Sequence, residues 1–359
     1  MAYFDHEPLV IGDLIIPTAV VQGGMGIGVS LAGLASAVAN EGGLGVLSAV
    51  GVGMLRKETL SAINNITAIK EEIRLARSKT DGVLGINIMV ALSDFGDMVK
   101  ASVEEGIDVI FSGAGLPLNL PSYVGKGCKT KLVPIISSAR AAKSISRWWL
   151  EKYNYVPDGF VVEGPMAGGH LGFKTDLIDN PDYQLEKLIP EVLEAVRPME
   201  EKCGHKIPVI AAGGIFTGAD IKRFLKMGAA GVQMATRFVA TDECDADIAF
   251  KNAYVQCEKE DIGIIISPVG MPGRAILNDF LKDVKLGNRR PTKCPFHCIN
   301  TCEQETSPYC ISLALMNAYK GKLDNGFAFV GANGYKVKEI VSVKKLFEDL
   351  SKEYKECTD

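Results

Sequence analysis

The chain has little that would carry it into a membrane or onto nucleic acid. No apolar run reaches ~18 residues without polar interruption, so no transmembrane helix is expected. The opening MAYFDHEPLVIGDL has no basic stretch leading into a continuous apolar one, which predicts no signal peptide and a cytoplasmic location. Net charge is −4, with acids and bases interspersed and no polybasic run. That balance excludes nucleic acid and an anionic membrane as main partners. Histidine is scarce, at four in 359 residues, so the setting of each one carries weight.

What is present points to one large α/β fold. With 47% hydrophobic residues, the chain can bury a sizeable core, and it exceeds the ~250 residues of a simple (β/α)8 barrel. Apolar runs read as eight strands: Thr18 to Gln22, Gly45 to Val50, Leu84 to Val90, Val109 to Ser112, Lys131 to Ile136, Gly159 to Glu163, Pro208 to Ala212 and Gly231 to Met234. Helix-like stretches separate them, at Leu31 to Glu41, Lys57 to Lys79, Asp94 to Glu105, Ala139 to Tyr153, Gln184 to Met199 and Thr217 to Met227. Continuously apolar strands alternating with such helices imply βαβ crossovers and a parallel sheet covered on both faces. A doubly wound open sheet gives the same periodicity. The count of eight, with the paired loops described next, favours a TIM (β/α)8 barrel over residues 1–285. Residues 286–359 then form a Cys-rich C-terminal extension, with a helix at Ile311 to Lys320, a loop or small hairpin from Asn325 to Val337, and an amphipathic helix from Val341 to Tyr354 packed on the barrel.

Residues 207–238 carry the strongest local signal. Two successive strand-loop-helix units place Gly213-Gly214 after one strand and Ala235-Thr236 after the next. Bare backbone in the first loop, and a small residue with a hydroxyl in the second, leave N–H groups free to converge on one phosphate. In a barrel this is the site after strands seven and eight. The plainer alternative is a pair of ordinary turns, but matching chemistry one βα repeat apart argues against it.

Chemistry in such a barrel sits on loops at the C-terminal strand ends. Strand one runs into Gln22-Gly23-Gly24-Met25-Gly26-Ile27-Gly28, whose four glycines let a flat ligand lie against backbone. Asn87 puts an amide in an apolar strand, where it serves either a structural hydrogen bond or a ring ligand. Strand six runs into Glu163-Gly164-Pro165-Met166-Ala167-Gly168-Gly169-His170. Among those glycines, His170 is a candidate general acid or base near neutral pH; a structural or solvated imidazole is the alternative. Arg274, in the Gly- and Pro-rich stretch Ser267 to Ala275, either reaches an anionic group or lies solvated on the surface.

Taken together, these residues resemble the nitronate monooxygenase group, also called 2-nitropropane dioxygenases, which includes FMN-dependent enoyl-acyl carrier protein reductases. The resemblance rests on Gln22-Gly23-Gly24-Met25, Gly85-Ile86-Asn87, Gly168-Gly169-His170, Ala212-Gly213-Gly214-Ile215 and Gln233-Met234-Ala235-Thr236-Arg237-Phe238, in order. It implies a barrel holding FMN noncovalently, with Gly213, Gly214, Ala235 and Thr236 on the phosphate and Gly24, Met25 and Asn87 on the isoalloxazine. His170 would be the acid/base. Gln22, Gly23, Gly168, Gly169, Ala212 and Met234 belong to the same cofactor-binding motifs, and Glu163 and Gln233 occupy strand ends that often face flavin in the family. Ala235 departs from a common glycine yet keeps its N–H, and Gly164-Pro165-Met166-Ala167 departs in a loop that faces substrate. The implied activity is oxidation of alkyl nitronates by O2 to a carbonyl compound and nitrite. Its alternatives are NAD(P)H-dependent reduction of an enoyl thioester or quinone and, in another class, a non-catalytic flavin or iron–sulfur sensor. A small-molecule substrate is expected; NAD(P)H and a homodimer are open options. An inosine-monophosphate-dehydrogenase-like enzyme would need a nucleophilic Cys after strand six, and residues 164–172 contain none.

The C-terminal part adds Cys294, Cys298, Cys302 and Cys310, four of nine cysteines, spaced C-x3-C-x3-C-x7-C. In a reducing cytosol such clustering suits a metal, either a [4Fe–4S] cluster, favoured as an electron relay beside flavin, or zinc. Free thiols or a disulfide are the plainer alternative. Cys128, Cys203, Cys244, Cys257 and Cys357 are scattered and read as spectators.

Overall fold

The computed structural model describes residues 3–55, 65–291, 294 and 296–357; residues 57–64 of the expected helix Lys57 to Lys79 lie outside them. Eight parallel strands form one sheet: β1 Val20–Gln22, β2 Gly45–Ser48, β3 Leu84–Asn87, β4 Val109–Ser112, β5 Lys131–Ile136, β6 Phe160–Glu163, β7 Val209–Ala212 and β8 Gly231–Met234. From β2 onward each pairs with the next in chain order, and β8 pairs in turn with β1. The ring closes between β1 and β2 through the bridge of Val21 with Leu44, where the Leu44 N–H donates to Val20 O and the Gln22 N–H donates to Leu44 O, both at 2.9 Å. The chain is therefore a (β/α)8 barrel, and the open-sheet alternative falls away. Every residue of β4 and β7 is buried, as their continuous apolar runs require.

Helices α1 Ala32–Asn40, α2 Asn65–Arg77, α3 Phe95–Glu104, α4 Ala139–Tyr153, α5 Leu185–Cys203 and α6 Gly218–Lys226 follow β1, β2, β3, β5, β6 and β7. After β8 come a single turn, α7 Thr236–Val239, then α8 Ile248–Val255, α9 Asp279–Lys285, α10 Ile311–Tyr319 and α11 Val343–Glu356. The last helix packs on both α6 and α1, filling the gap in the outer ring. Its stripe of Val343, Leu346, Phe347, Leu350 and Tyr354 recurs at helical spacing and is buried. Contact is close enough that a Cβ on Gly218 would lie 2.1 Å from the Leu350 carbonyl oxygen.

Two helix starts show how the loops are fixed. Thr217 and Asp220 form a reciprocal capping box at α6, each side chain satisfying the other's backbone N–H. At α1 the preceding residue, Leu31, has no polar side chain to offer. Asp245, in the segment after β8 and α7 and next to β1 in the ring, supplies the cap, accepting from the N–H groups of Leu31, Gly33 and Leu34 at 2.7, 3.0 and 3.1 Å.

Over the C-terminal rim lies a small antiparallel sheet of Ile262–Ile266, Pro272–Ile276 and Gly169–His170. The Gly- and Pro-rich stretch thus ends in a strand. Residues from Asn325 to Val337 make no hairpin; their one bridge joins Phe329 to Ala275, and the rest is turns.

Candidate active site

The loops at the C-terminal ends of the strands surround a cavity of about 250 Å³. At one end lie Gly213 and Gly214, with φ of 93° and 89°, a region that favours glycine. A Cβ on Gly213 would lie 2.7 Å from the Gly164 carbonyl oxygen, so that loop packs backbone on backbone. Ala235 and Thr236 stand beside them, and the Thr236 hydroxyl accepts from the Gly331 N–H at 3.2 Å. Asn333 braces the cradle by donating to Gly214 O at 2.7 Å.

Gly23, Gly24 and Met25 form another wall. Gly24 is held so near β3 that a Cβ there would lie 2.5 Å from the Asn87 Cβ, which joins two motifs 63 positions apart. Asn87, Glu163 and Gln233, at the ends of β3, β6 and β8, all line the cavity. Their side chains have no hydrogen-bond partner among the described residues, so these three polar ends are turned to whatever fills the space. Gln22 differs. Its amide is spent within the barrel, donating to Gly23 O and accepting from the Val46 N–H, and it does not line the cavity.

His170 lies opposite, with Nε2 2.7 Å from the Ser267 hydroxyl and its ring 5.1 Å from that of Phe329. Ser267 also accepts from the Val269 N–H at 3.2 Å, so its hydroxyl ties the imidazole to the turn that follows Ser267. Burial pushes the imidazole down to about 4, so it is neutral at pH 7. Burial likewise pushes Glu163 up to about 8, making it a neutral acid at the same pH. Gly168 and Gly169 carry the chain to His170; a Cβ on Gly168 would lie 2.5 Å from the Val330 carbonyl carbon. Ala212 and Met234 line the base of the same space.

Arg274 fills neither role expected of it. It is buried, and Nη1 donates to the carbonyls of Pro165 and Ala167 at 2.6 and 2.7 Å, clamping the loop that leads to His170. The sequence reading missed a wall built by Phe329, Val330 and Gly331, with Tyr254 from α8 and Leu315 from α10. Tyr254 secures that wall by donating to the Phe329 carbonyl. The signal available was Val330-Gly331-Ala332-Asn333-Gly334, a second glycine-bearing stretch far from the first.

The family described as nitronate monooxygenase matches residues 8–353. The chain belongs to the nitronate monooxygenase family. Membership places it among the FMN-dependent oxidoreductases that the sequence motifs resemble. A 5-hydroxy-7a-methyl-1-oxo-octahydro-1H-indene-4-carboxyl-CoA dehydrogenase of Mycobacterium tuberculosis is 32% identical over 270 residues, which cover 75% of this chain and 66% of that one. Among solved structures, FabK from Thermotoga maritima superposes with a TM-score of 0.72 at 29% identity, over 94% of this chain and 93% of its own. A nitroalkane oxidase from Streptomyces ansochromogenes, 21% identical with a TM-score of 0.72 over 95% of this chain and 96% of its own, shares the fold.

The residues fit an FMN. Backbone packed too tightly for side chains lies at one end, where a phosphate would sit, a glycine wall offers a flat surface, and three partnerless polar groups surround the middle. The four C-terminal cysteines lie elsewhere, around a cavity of their own. All nine cysteines are free thiols, so the disulfide alternative is not realised. No helix among the described residues is long and apolar enough to cross a membrane.

Proposed function

We propose that this protein is an FMN-dependent oxidoreductase acting on alkyl nitronates, with O2 as the oxidant and a carbonyl compound and nitrite as products. The observation that carries the reading is the ring of Asn87, Glu163, Gln233 and His170 around a cavity with a glycine cradle at one end. Gly213, Gly214, Ala235 and Thr236 would hold the phosphate, and Gly23, Gly24 and Met25 would back the ring. Bound FMN supplies acceptance and return of electrons one or two at a time, which no side chain provides. His170, neutral and held by Ser267, would position the nitro group or accept a proton during the oxidation. Glu163, neutral at pH 7, would donate to a developing oxyanion. Arg274 keeps both in place by fixing the loop between them.

A second reading, NAD(P)H-dependent reduction of an enoyl thioester, is supported by the acyl-CoA named for the mycobacterial relative and by the likeness to FabK over most of both chains. There Glu163 would serve the thioester enolate as proton donor, with His170 hydrogen-bonded to it. The test is nitrite release from a nitronate under air against NADH or NADPH oxidation with a crotonyl thioester. Nitrite without nicotinamide consumption supports the first reading, and the converse supports the second. A flavin-loaded protein inactive in both would return the chain to the sensor class. We place the protein in the cytoplasm on the sequence reading alone, with a homodimer as one assembly to test by light scattering.

A further inference from the structure

We propose that the C-terminal segment binds a [4Fe–4S] cluster through Cys294, Cys298, Cys302 and Cys310, with the Tyr309 hydroxyl as a hydrogen-bond donor to it. All four thiols line one cavity of about 250 Å³, which shares no lining residue with the flavin cavity. Among the described residues, no three His, Cys, Asp or Glu side chains converge closely enough to hold a single metal ion. A zinc site would need all four sulfurs ~2.3 Å from one centre. A cubane cluster asks for something else: each thiolate takes a different iron at a different corner, so the four sulfurs stand apart around a space. Four cysteines on the wall of one cavity supply the ligand count that such a cluster takes.

An independent observation comes from Tyr309. It is 3% exposed, it lines the same cavity, and its hydroxyl is buried with no hydrogen-bond partner among the described residues. A buried phenol without an acceptor is rare, because water would otherwise satisfy it. A thiolate or sulfide in the cavity supplies the acceptor. Ser312 places its hydroxyl 2.9 Å from the Cys298 sulfur, a further polar group at the same wall.

The segment is also pinned to the barrel. Ile299 bridges Leu92, Asn300 N–H donates to Ala91 O at 3.0 Å, and Ser93 N–H donates to Cys298 O at 3.2 Å. A row of rings then leads from Tyr309 to Phe327 at 5.7 Å, to Phe329 at 5.0 Å and to His170 at 5.1 Å. The cysteine cavity is thus linked by packed rings to Phe329, which walls the flavin cavity.

The full chain, purified without oxygen, is assayed for iron, acid-labile sulfide and bound flavin, and its dithionite-reduced form is examined by electron paramagnetic resonance. About four irons and four sulfides per chain are expected, with most of the iron lost in Cys298→Ser and Cys302→Ser while flavin absorbance stays. Zinc as the bound metal, or no iron uptake on anaerobic incubation with ferrous iron and sulfide, overturns the proposal. Should the cysteine variants fail to fold, the metal content of the unaltered protein still decides. Tyr309→Phe keeps every ligand; it is expected to retain iron and to move the cluster's midpoint potential more negative. An unchanged potential removes Tyr309 from the site. The proposal rests on residues outside the flavin cavity, so flavin without iron overturns the cluster alone, and iron without flavin overturns the oxidoreductase reading alone.

Discussion

Glu163 and His170 face one cavity, and burial moves them in opposite directions, to about 8 and about 4. At pH 7 both are uncharged, which gives the cavity one group able to lose a proton and one able to gain it. Replacing His170 with Ala removes the imidazole and leaves the cradle intact, so flavin should remain while kcat falls by ~10²–10⁴. Steady-state turnover with flavin content measured on the same sample checks this, and an undiminished kcat would take His170 out of the chemistry. For Glu163→Gln the informative readout is pH. A donor that works in its neutral form loses activity as pH rises through about 8, and the Gln variant, which cannot ionise, should lack that alkaline limb. Stability follows the same sign. Between the ordinary 4.5 and about 8, the folded state holds a proton on Glu163 that the unfolded chain releases. The contribution is complete below 4.5 and is lost as pH rises through 8. Flavin-free Glu163→Gln should therefore show a flatter Tm across that window. His170 acts in the opposite sense: its contribution is intact above 6.5 and is lost as pH falls through about 4.

Elements are where one residue's reach across the chain becomes visible. Asp245 caps α1 from 214 positions away, and Gly33 is glycine at the contact, since a Cβ there would lie 2.4 Å from the Asp245 Oδ1. Asp245→Ala leaves up to three N–H groups without their acceptor at a buried helix start, at a cost of ~1–3 kcal/mol. Urea denaturation should show a lowered midpoint with an unchanged m-value; no shift would mean that water satisfies the helix start. Nothing near Asp245 in the sequence announces this role, whereas the capping box of Thr217 and Asp220 is written in four consecutive residues. The same contrast runs through the site. β4, β5 and β8 start and stop where their largely apolar runs do, because a strand covered on both faces is built mainly of apolar residues, with polar ones kept near its ends. Gly213-Gly214 was legible for a similar reason, as only glycine holds those angles at that distance from Gly164. Gln22 was misread because its motif position says nothing of the Val46 N–H that occupies it. Arg274 was misread because carbonyls of Pro165 and Ala167, its true partners, carry no side-chain signature.

At the scale of the whole molecule, the flavin cavity is assembled from both ends of the chain, and that decides whether the barrel can stand without residues 286–359. The β1 loop supplies Gly23 and Gly24, while Phe329, Val330 and Gly331 close the opposite side. Beneath them α11 covers α6 and α1 with Val343, Leu346, Phe347, Leu350 and Tyr354, none more than 7% exposed. Glu353 adds a polar tie, accepting from the Gly218 N–H at 2.8 Å and from Arg237 at 3.0 Å. Each buried apolar side chain of this size contributes ~1.5–3 kcal/mol. Losing five of them removes on the order of 10 kcal/mol, comparable to the entire net stability of a typical domain. A chain ending at Lys285 is therefore expected to be insoluble or molten, and to hold no flavin even where its secondary structure survives. Circular dichroism with flavin fluorescence on the truncated protein would show it. A cooperative, flavin-binding 1–285 fragment would mean instead that the phosphate cradle and the strand-end polar groups suffice, and that the C-terminal wall serves the substrate side alone.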